Sequence, residues 1–153
     1  MDTNTRKAAL AKHLDMDTSD FAAVDAAIER APHWGEPYLY AEGGTFLVVS
    51  DAEADTMAME SAKEALWAFT ASFLSRFVPA LQDDRAAKAW EKVACKLCDD
   101  ANPLAEALLG DRLDEALSEA VREDGRAHFL NTYDNTEHEV RVDGALFYVY
   151  RVN

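Results

Sequence analysis

The two cysteines of this 153-residue sequence, Cys95 and Cys98, have the spacing that most directly suggests chemistry. A C-x-x-C pair can supply half of a zinc site or act as a redox couple. The redox form works where the pair opens a helix, because the positive end of the helix dipole stabilises a thiolate. Here the pair lies near the end of a predicted helix and precedes Asp99 and Asp100. We therefore favour two thiols without a metal or redox role.

A zinc ion at this pair would need two further ligands. Histidines could supply them, although nothing in the sequence brings them close together. The four histidines are His13, His33, His128 and His138. His138 lies between two glutamates on a predicted strand, where both neighbours point to the opposite face. We therefore expect no metal site and no cofactor.

A second group of titratable residues follows a predicted helix end at Gly125. It contains a histidine and aspartates, and a histidine near an aspartate can act as a general base. The group consists of Asp124, Arg126, His128, Tyr133 and Asp134. The sequence has neither a G-x-S-x-G motif nor a phosphate-binding glycine loop, so we favour an ion-paired helix end. A small enzyme or metal-binding protein that uses residues 124–134 stays open as the alternative.

Carboxylates that recur every four residues on a predicted helix form the third candidate site. Residues four apart lie about 6 Å apart along a helix axis, comparable to the phosphate spacing along one DNA strand. The stripe consists of Asp111, Glu115, Glu119 and Glu123, with Asp114 and Glu106 nearby. A solvated helix face explains such a stripe. A surface that imitates nucleic acid and blocks a basic groove is the more specific alternative.

The net charge of the chain is strongly negative. The sequence has 29 acidic and 15 basic residues, a formal net charge of -14. Such a surface repels nucleic acid and anionic membranes and attracts basic partners, although a high charge also serves solubility alone. The first two predicted helices have helix-turn-helix spacing, but the second carries Asp20, Asp25 and Glu29 against Arg30 alone. We therefore expect no direct nucleic-acid binding.

Helical and strand patterns alternate in blocks along the chain. Apolar periodicity predicts helices over residues 4–14, 18–30, 50–77, 84–100, 103–109 and 112–124. Alternating and β-branched segments around glycine turns predict two β-hairpins, 38–49 and 139–152. We expect one α+β domain, residues 1–153, in which several helices surround one long central helix packed against an antiparallel sheet made of the two hairpins.

Polar residues at the predicted helix starts are expected to act as N-caps. Ser50 and Glu53 have the spacing of a capping box at the start of the long helix. Thr18 or Ser19 would cap the second helix. That helix would present Phe21, Val24 and Ile28 to the core. The two later short helices would be capped by Asn102 and Asp111.

The sequence also predicts where the protein resides. The first residues contain no apolar stretch followed by a small-residue cleavage site. No window approaches the roughly 18–20 apolar residues of a membrane-spanning helix. We expect a cytoplasmic protein with reduced cysteines and no membrane association.

Short segments of the chain support a family resemblance. They are 64–69, 72–74, 99–104, 106–111, 124–126, 128–130, 133–134 and 147–153. Through them the chain, over about residues 38–153, resembles a group of small acidic proteins encoded by bacteriophages and prophages. The resemblance implies an origin in a mobile element and carries no established activity with it.

Size, charge and this resemblance lead to one hypothesis. The protein would be a non-enzymatic interaction protein that inhibits a host defence complex, as an anti-CRISPR protein does, by covering a basic groove with its acidic stripe. A phage housekeeping protein that binds a virion or replication component is the alternative. Trp34, Tyr38 and Tyr40 could anchor such an interface, although aromatic residues are more often packed in the core. The oligomeric state stays open.

Overall fold

The computed structural model describes residues 2–32 and 34–153. His33, one of the possible ligands, lies outside the described residues. The chain divides into two compact units, Met1–Met57 with Gly125–Asn153, and Ala58–Asp124. The α+β class is confirmed, because an antiparallel sheet is combined with helices. The single domain stays a prediction.

The first unit contains a five-stranded antiparallel sheet with the order β1-β2-β3-β5-β4. Its strands are β1 Glu29–Arg30, β2 Tyr38–Ala41, β3 Gly44–Val49, β4 His138–Val142 and β5 Ala145–Arg151. The pairs β2–β3 and β4–β5 are the two predicted hairpins, and β1 is an added edge. Since β3 pairs with β5, the two hairpins form one continuous sheet.

Both hairpin turns use backbone conformations with positive φ. Glu42 and Gly43 have φ values of 48° and 75°, and Asp143 and Gly144 have 51° and 84°. Two successive positive φ angles are the mark of a type I′ turn, which matches the twist of the flanking strands. Gly44, by contrast, is the first residue of β3.

Helix α1, Thr3–His13, packs on this sheet through Ala9, Leu10 and Ala11, which are fully buried. Arg6 on the same helix is buried as well. Its guanidinium donates to the backbone oxygen of Val48 and to Glu53. The hydrogen bond to Val48 and the packed apolar face fix α1 against β3, and the ion pair joins α1 to Glu53 of the following helix.

Helix α2, Phe21–Ala27, is three residues shorter at each end than the predicted helix over residues 18–30. Asp20 is its N-cap and accepts from the amide of Ala23. The predicted cap at Thr18 or Ser19 is wrong, because the Ser19 hydroxyl donates to an aspartate two residues earlier. Phe21 is 50% exposed and is not a core residue, whereas Val24 and Ile28 are buried as predicted.

Helix α3, Asp51–Glu64, begins at the predicted capping box. The amide and hydroxyl of Ser50 both donate to the Glu53 carboxylate at 2.8 Å. Burial opposes ionisation of Glu53, but hydrogen bonds from Arg6 and Ser50 outweigh it and lower the pKa of Glu53 to about 2. The start of this helix is therefore held by an ionised glutamate.

The expected extension of this helix to about Phe77 is wrong, because the helix ends at Glu64. A polar side chain there forms hydrogen bonds with the backbone groups that the helix leaves unpaired. The side chain of Asn102 donates to the backbone oxygen of Glu64 at 2.6 Å and accepts from the backbone amide of Trp67 at 2.8 Å. Thr70 then caps the short helix α4, Ala71–Leu74. Apolar periodicity persists through these residues, so it could not reveal the break.

The longest helical run of the second unit covers residues 84–124. It consists of α5 Asp84–Leu97, α6 Asn102–Leu109 and α7 Leu113–Asp124, joined by tight 3-10 turns. Cys98 and Gly110, with positive φ, mark the two interruptions. Asn102 has helical backbone angles, so it does not cap α6 as expected.

The remaining short helix, α8 Arg126–Leu130, returns the chain to the first unit. In the part of the chain that the structure describes, no helix combines the length and apolarity needed to cross a membrane.

Candidate functional site

The predicted acidic stripe lies on and just before α7. The apolar side of this helix is buried through Ala116, Leu117 and Ala120. Asp111 lies in the 3-10 turn that precedes the helix, and it accepts no hydrogen bond from the helix start among the described residues. The helical four-residue spacing therefore holds only from Glu115 onward.

Two carboxylates of the stripe are bound by one arginine of the same unit. Arg76 contacts Glu119 at 2.6 Å and Glu123 at 2.7 Å. Its guanidinium also lies over the Phe73 ring, 5.2 Å from the centroid. The ion pairs from both glutamates raise the pKa of Arg76. These two glutamates therefore tie α7 to the segment after α4 and offer little free charge.

Two further members of the set are paired with exposed cations. Glu115 contacts Arg112 at 2.5 Å, and Glu106 contacts Lys63 at 3.4 Å. The hydrogen bond from Arg112 lowers the pKa of Glu115, so its carboxylate is ionised at neutral pH. Both pairs are solvent-exposed, where ion pairs contribute little to stability.

Asp111 and Asp114 are exposed, and neither is in an ion pair with another described residue. Together with the exposed Glu115 they form what we call the acidic face. Of the six predicted residues, Asp111 and Asp114 are thus in no ion pair between described residues, whereas the other four each contact a lysine or an arginine. Their role in binding stays a prediction.

The segment after Gly125 forms an ion cluster around Arg126 in the first unit. Arg126 contacts Asp51 at 2.8 Å, Asp55 at 3.1 Å and Glu137 at 2.9 Å. Its guanidinium lies 4.1 Å from the centroid of the Tyr148 ring. Burial lowers the pKa of Arg126, but hydrogen bonds to Glu137 and Asp51 outweigh it and raise the pKa. The cluster joins α3, α8 and the sheet, and this is the ion-paired helix end that the sequence favoured.

Asn131 organises the turn that follows. Its side chain is buried, donates to Asp134 and to the Thr136 oxygen, and accepts from the amides of Tyr133 and Asp134. Asp134 is thereby committed to the turn. His128 is exposed beside Phe129, and no hydrogen bond joins it to Asp134 among the described residues. The general-base arrangement weighed for this segment is not assembled.

Two histidines far apart in the sequence come into contact in the first unit. The ring centroids of His13 on α1 and His138 on β4 lie 4.7 Å apart, and His13 also packs edge-on against Phe46. Burial and the neighbouring His138 lower the pKa of His13, and Asp15 opposes them. No sequence pattern signals this pair, because it depends on how α1 docks on the sheet.

This contact makes stability depend on pH. The pKa of His13 lies below the 6.5 of an unperturbed histidine, so the folded chain binds fewer protons there than the unfolded chain. The contribution of neutral His13 to the free energy of unfolding is therefore complete above pH 6.5. It is lost as the pH falls through the lowered pKa of His13. We expect His138→Gln to flatten the dependence of the unfolding free energy on pH below 6.5, measured by urea denaturation. His128→Gln is the matched control, and an equal slope in both variants would contradict the prediction.

The cysteine pair is exposed and unbridged. Cys95 and Cys98 are free thiols, and Cys98 adopts a φ of 51° at the end of α5. Among the described residues, no group of three or more His, Cys, Asp or Glu side chains is placed to hold a metal ion.

A cavity of about 430 Å³ opens in the first unit. Its wall includes Arg6, Glu36, Glu53, Thr56 and Met57. Glu36 is paired with an arginine on β1, and Glu53 is paired with Arg6. The Nε atom of Arg6 is the one buried side-chain polar atom without a partner in the described part of the chain. One such donor among paired charges does not specify a ligand.

The aromatic residues singled out from the sequence form an exposed group beside β2. Trp34 is 52% exposed and its ring lies 4.9 Å from that of Tyr38. Tyr40 is exposed as well, on the same strand as Tyr38. Residues two apart on a strand share a face, so both tyrosines lie on one side of the sheet.

Comparison with known proteins identifies no relative. No family model, no curated protein and no solved structure matches the chain. The function is therefore inferred from the charges and contacts of the chain itself.

Proposed function

We propose that this protein binds a macromolecular complex with a basic nucleic-acid groove and inhibits it, as the anti-CRISPR proteins of bacteriophages do. The acidic face of α7 is the observation that carries the proposal. Asp111, Asp114 and Glu115 are exposed carboxylates on one short stretch of backbone. A net charge of -14 would draw such a face toward a basic groove and away from nucleic acid itself.

The ion pairs of the neighbouring glutamates support this proposal indirectly. Arg76 holds Glu119 and Glu123 on the flank of α7, and Ala116 and Leu117 bury its inner side. The acidic face is therefore presented on a helix that is fixed from two sides. A surface that is ordered before binding loses less conformational entropy when the partner arrives.

A second candidate is supported by the exposed aromatic group. Trp34, Tyr38 and Tyr40 are the residue types that most often anchor protein interfaces. A phage housekeeping protein that binds a virion or replication component would use such a surface. Trp34→Ala would then abolish partner binding, whereas changes on α7 would not.

The test of the first proposal neutralises the acidic face. We expect the triple variant Asp111→Asn, Asp114→Asn, Glu115→Gln to bind a purified CRISPR effector complex about tenfold more weakly, since each lost exposed ion pair contributes a few tenths to 1 kcal/mol. The same variant should fail to restore plaque formation by a targeted phage on a CRISPR-immune host. Wild-type protein should restore it.

The matched control changes the net charge equally at other exposed carboxylates. The variant Glu60→Gln, Glu91→Gln, Glu139→Gln removes three negative charges from positions outside α7 and outside any ion pair between described residues. It should bind nearly as the wild type does. Equal losses in both triple variants would show that only net charge matters, and unchanged binding of the α7 variant would remove the acidic face from the interface.

A further inference from the structure

Helix α5 carries a row of basic side chains that we call the basic stripe. It consists of Arg85, Lys88, Lys92 and Lys96. Their spacings of three and four residues place them on one face of the helix. The opposite face is buried through Trp90 and Ala94. At a rise of 1.5 Å per residue, the stripe extends over about 16 Å.

All four residues of the basic stripe are exposed, and none is in an ion pair with another described residue. This separates them from most of the other cations. Eight basic residues do pair with carboxylates, namely Arg6, Lys7, Arg30, Lys63, Arg76, Arg112, Arg122 and Arg126. In a chain with 29 acidic residues, a continuous row of unpaired bases is a surface that is complementary to an acidic partner.

The acidic partner that the chain itself offers is the acidic face. Its free charges, Asp111 and Asp114, are three residues apart, the spacing of Arg85 and Lys88. Both helices belong to the second unit.

We propose that the basic stripe of one copy docks on the acidic face of a second copy, so that the chain forms a twofold dimer. A twofold axis repeats the contact between α5 and α7 with the two copies exchanged, so every ion pair forms twice. Self-association through one such contact would leave the second pair of helices unpaired, which makes the closed dimer the preferred product.

Exposed leucines supply the apolar part of this interface. Leu97 ends α5, and Leu104 and Leu108 lie four residues apart on α6, on one face of the helix that connects the two charged ones. Interfaces combine an apolar centre with a charged rim. The apolar part is needed, because exposed ion pairs are weak and the net charge of each copy opposes association.

The dimer uses the same acidic face that the proposed function assigns to a basic partner, and it does not depend on the identity of that partner. Dimerisation and partner binding would therefore compete. Self-association is measured on the purified chain without any partner. Its failure leaves the proposed function intact, and loss of inhibition by a dimer-forming variant leaves the dimer intact.

Sedimentation equilibrium of the full chain tests the proposal. We expect a dimer whose dissociation constant rises by about tenfold as salt increases from a low-salt condition of about 0.1 M to about 1 M. At about 0.1 M the Debye length of roughly 10 Å already screens the repulsion between the two negatively charged copies, and at about 1 M it falls to roughly 3 Å. Lys88→Glu with Lys92→Glu should raise the dissociation constant at low salt by about tenfold or more. Asp111→Lys with Asp114→Lys should do the same.

A mixture of the two reversed variants gives the sharpest result. In a mixed dimer, the new glutamates on α5 of one copy face the new lysines of the other copy. The wild-type acidic face of the first copy then faces the wild-type basic stripe of the second, so both contacts join opposite charges. We expect the mixture to dimerise although each variant alone does not. Glu139→Lys with Arg141→Glu, on an exposed part of β4, is the control that should behave as the wild type.

Three results would overturn the proposal. They are a wild-type monomer at low salt and high protein concentration, a dimer that persists in the Lys88→Glu, Lys92→Glu variant, and a mixture that stays monomeric. A monomer that instead binds fluorescein-labelled poly-glutamate or DNA through α5 would assign the basic stripe to a foreign polyanion.

Discussion

Replacing Arg126 by methionine is expected to lower the free energy of unfolding by about 2 kcal/mol, since the half-buried Glu137 loses a charged hydrogen-bond partner, whereas Asp51 and Asp55 are solvent-exposed. Arg126 is only 15% exposed and contacts three carboxylates. Methionine keeps much of the apolar stem over the Tyr148 ring, so the loss reports mainly on the charge. Urea denaturation followed by circular dichroism measures it.

Two comparison variants separate the charge from its geometry. Arg126→Lys keeps the charge but loses the planar fork that reaches Glu137 and Asp51 together, so we expect an intermediate loss. Arg122→Met removes an exposed arginine that pairs with Glu119, and its effect should be far smaller than that of Arg126→Met. Similar losses for Arg126→Met and Arg122→Met would show that the cluster contributes no more than a surface pair.

Replacing Asn131 by alanine is the second large effect, about 2 to 3 kcal/mol, because buried groups that lose a hydrogen-bond partner cost about 1 to 3 kcal/mol. The change removes the partners of two amides and of the Thr136 oxygen, and it frees Asp134. The turn between α8 and β4 would lose the hydrogen bonds that fix its shape. Thermal unfolding of the variant measures the loss.

The conservative change Asn131→Asp separates the hydrogen bonds that the side chain accepts from those that it donates. Aspartate keeps both acceptor contacts to the amides of Tyr133 and Asp134 but places a second carboxylate beside Asp134. We expect it to destabilise the fold at neutral pH and to recover part of the loss as acid protonates the pair. Asn4→Ala, at an exposed position of α1, should have almost no effect. If Asn131→Ala matched that control, the turn would be held by its backbone alone.

Both hairpins could be read from the sequence because their signals are local. Asp143 and Gly144 need only their own positive φ angles, and the strands beside them alternate in polarity. The capping box at Ser50 and Glu53 is local in the same way. The end of α3 has no local signal, because its hydrogen-bond partner lies far along the chain. The side chain of Asn102 donates to the backbone oxygen of Glu64 in place of a helical amide.

In the candidate site, too, the residues themselves could be predicted from the sequence, whereas their contacts could not. The carboxylates of α7 are visible as a repeat, but their pairing with Arg76 depends on where α4 lies. The contact of His13 with His138 depends on the docking of α1 on the sheet. The basic stripe could have been found from its spacing alone. Its meaning appears only when the ion pairs of the remaining bases are known.

The order of the strands has a consequence for how the protein is made. Strand β3 is buried along its whole length, and its partner β5 is synthesised only after the entire second unit. During translation, the apolar edge of β3 must therefore wait without its neighbour, and open strand edges invite pairing with other chains. The inserted helical unit has no such dependence and can fold while the ribosome is still at work. Completion of the sheet by β4 and β5 is thus a late event. Chaperones would matter most while the chain is still being synthesised.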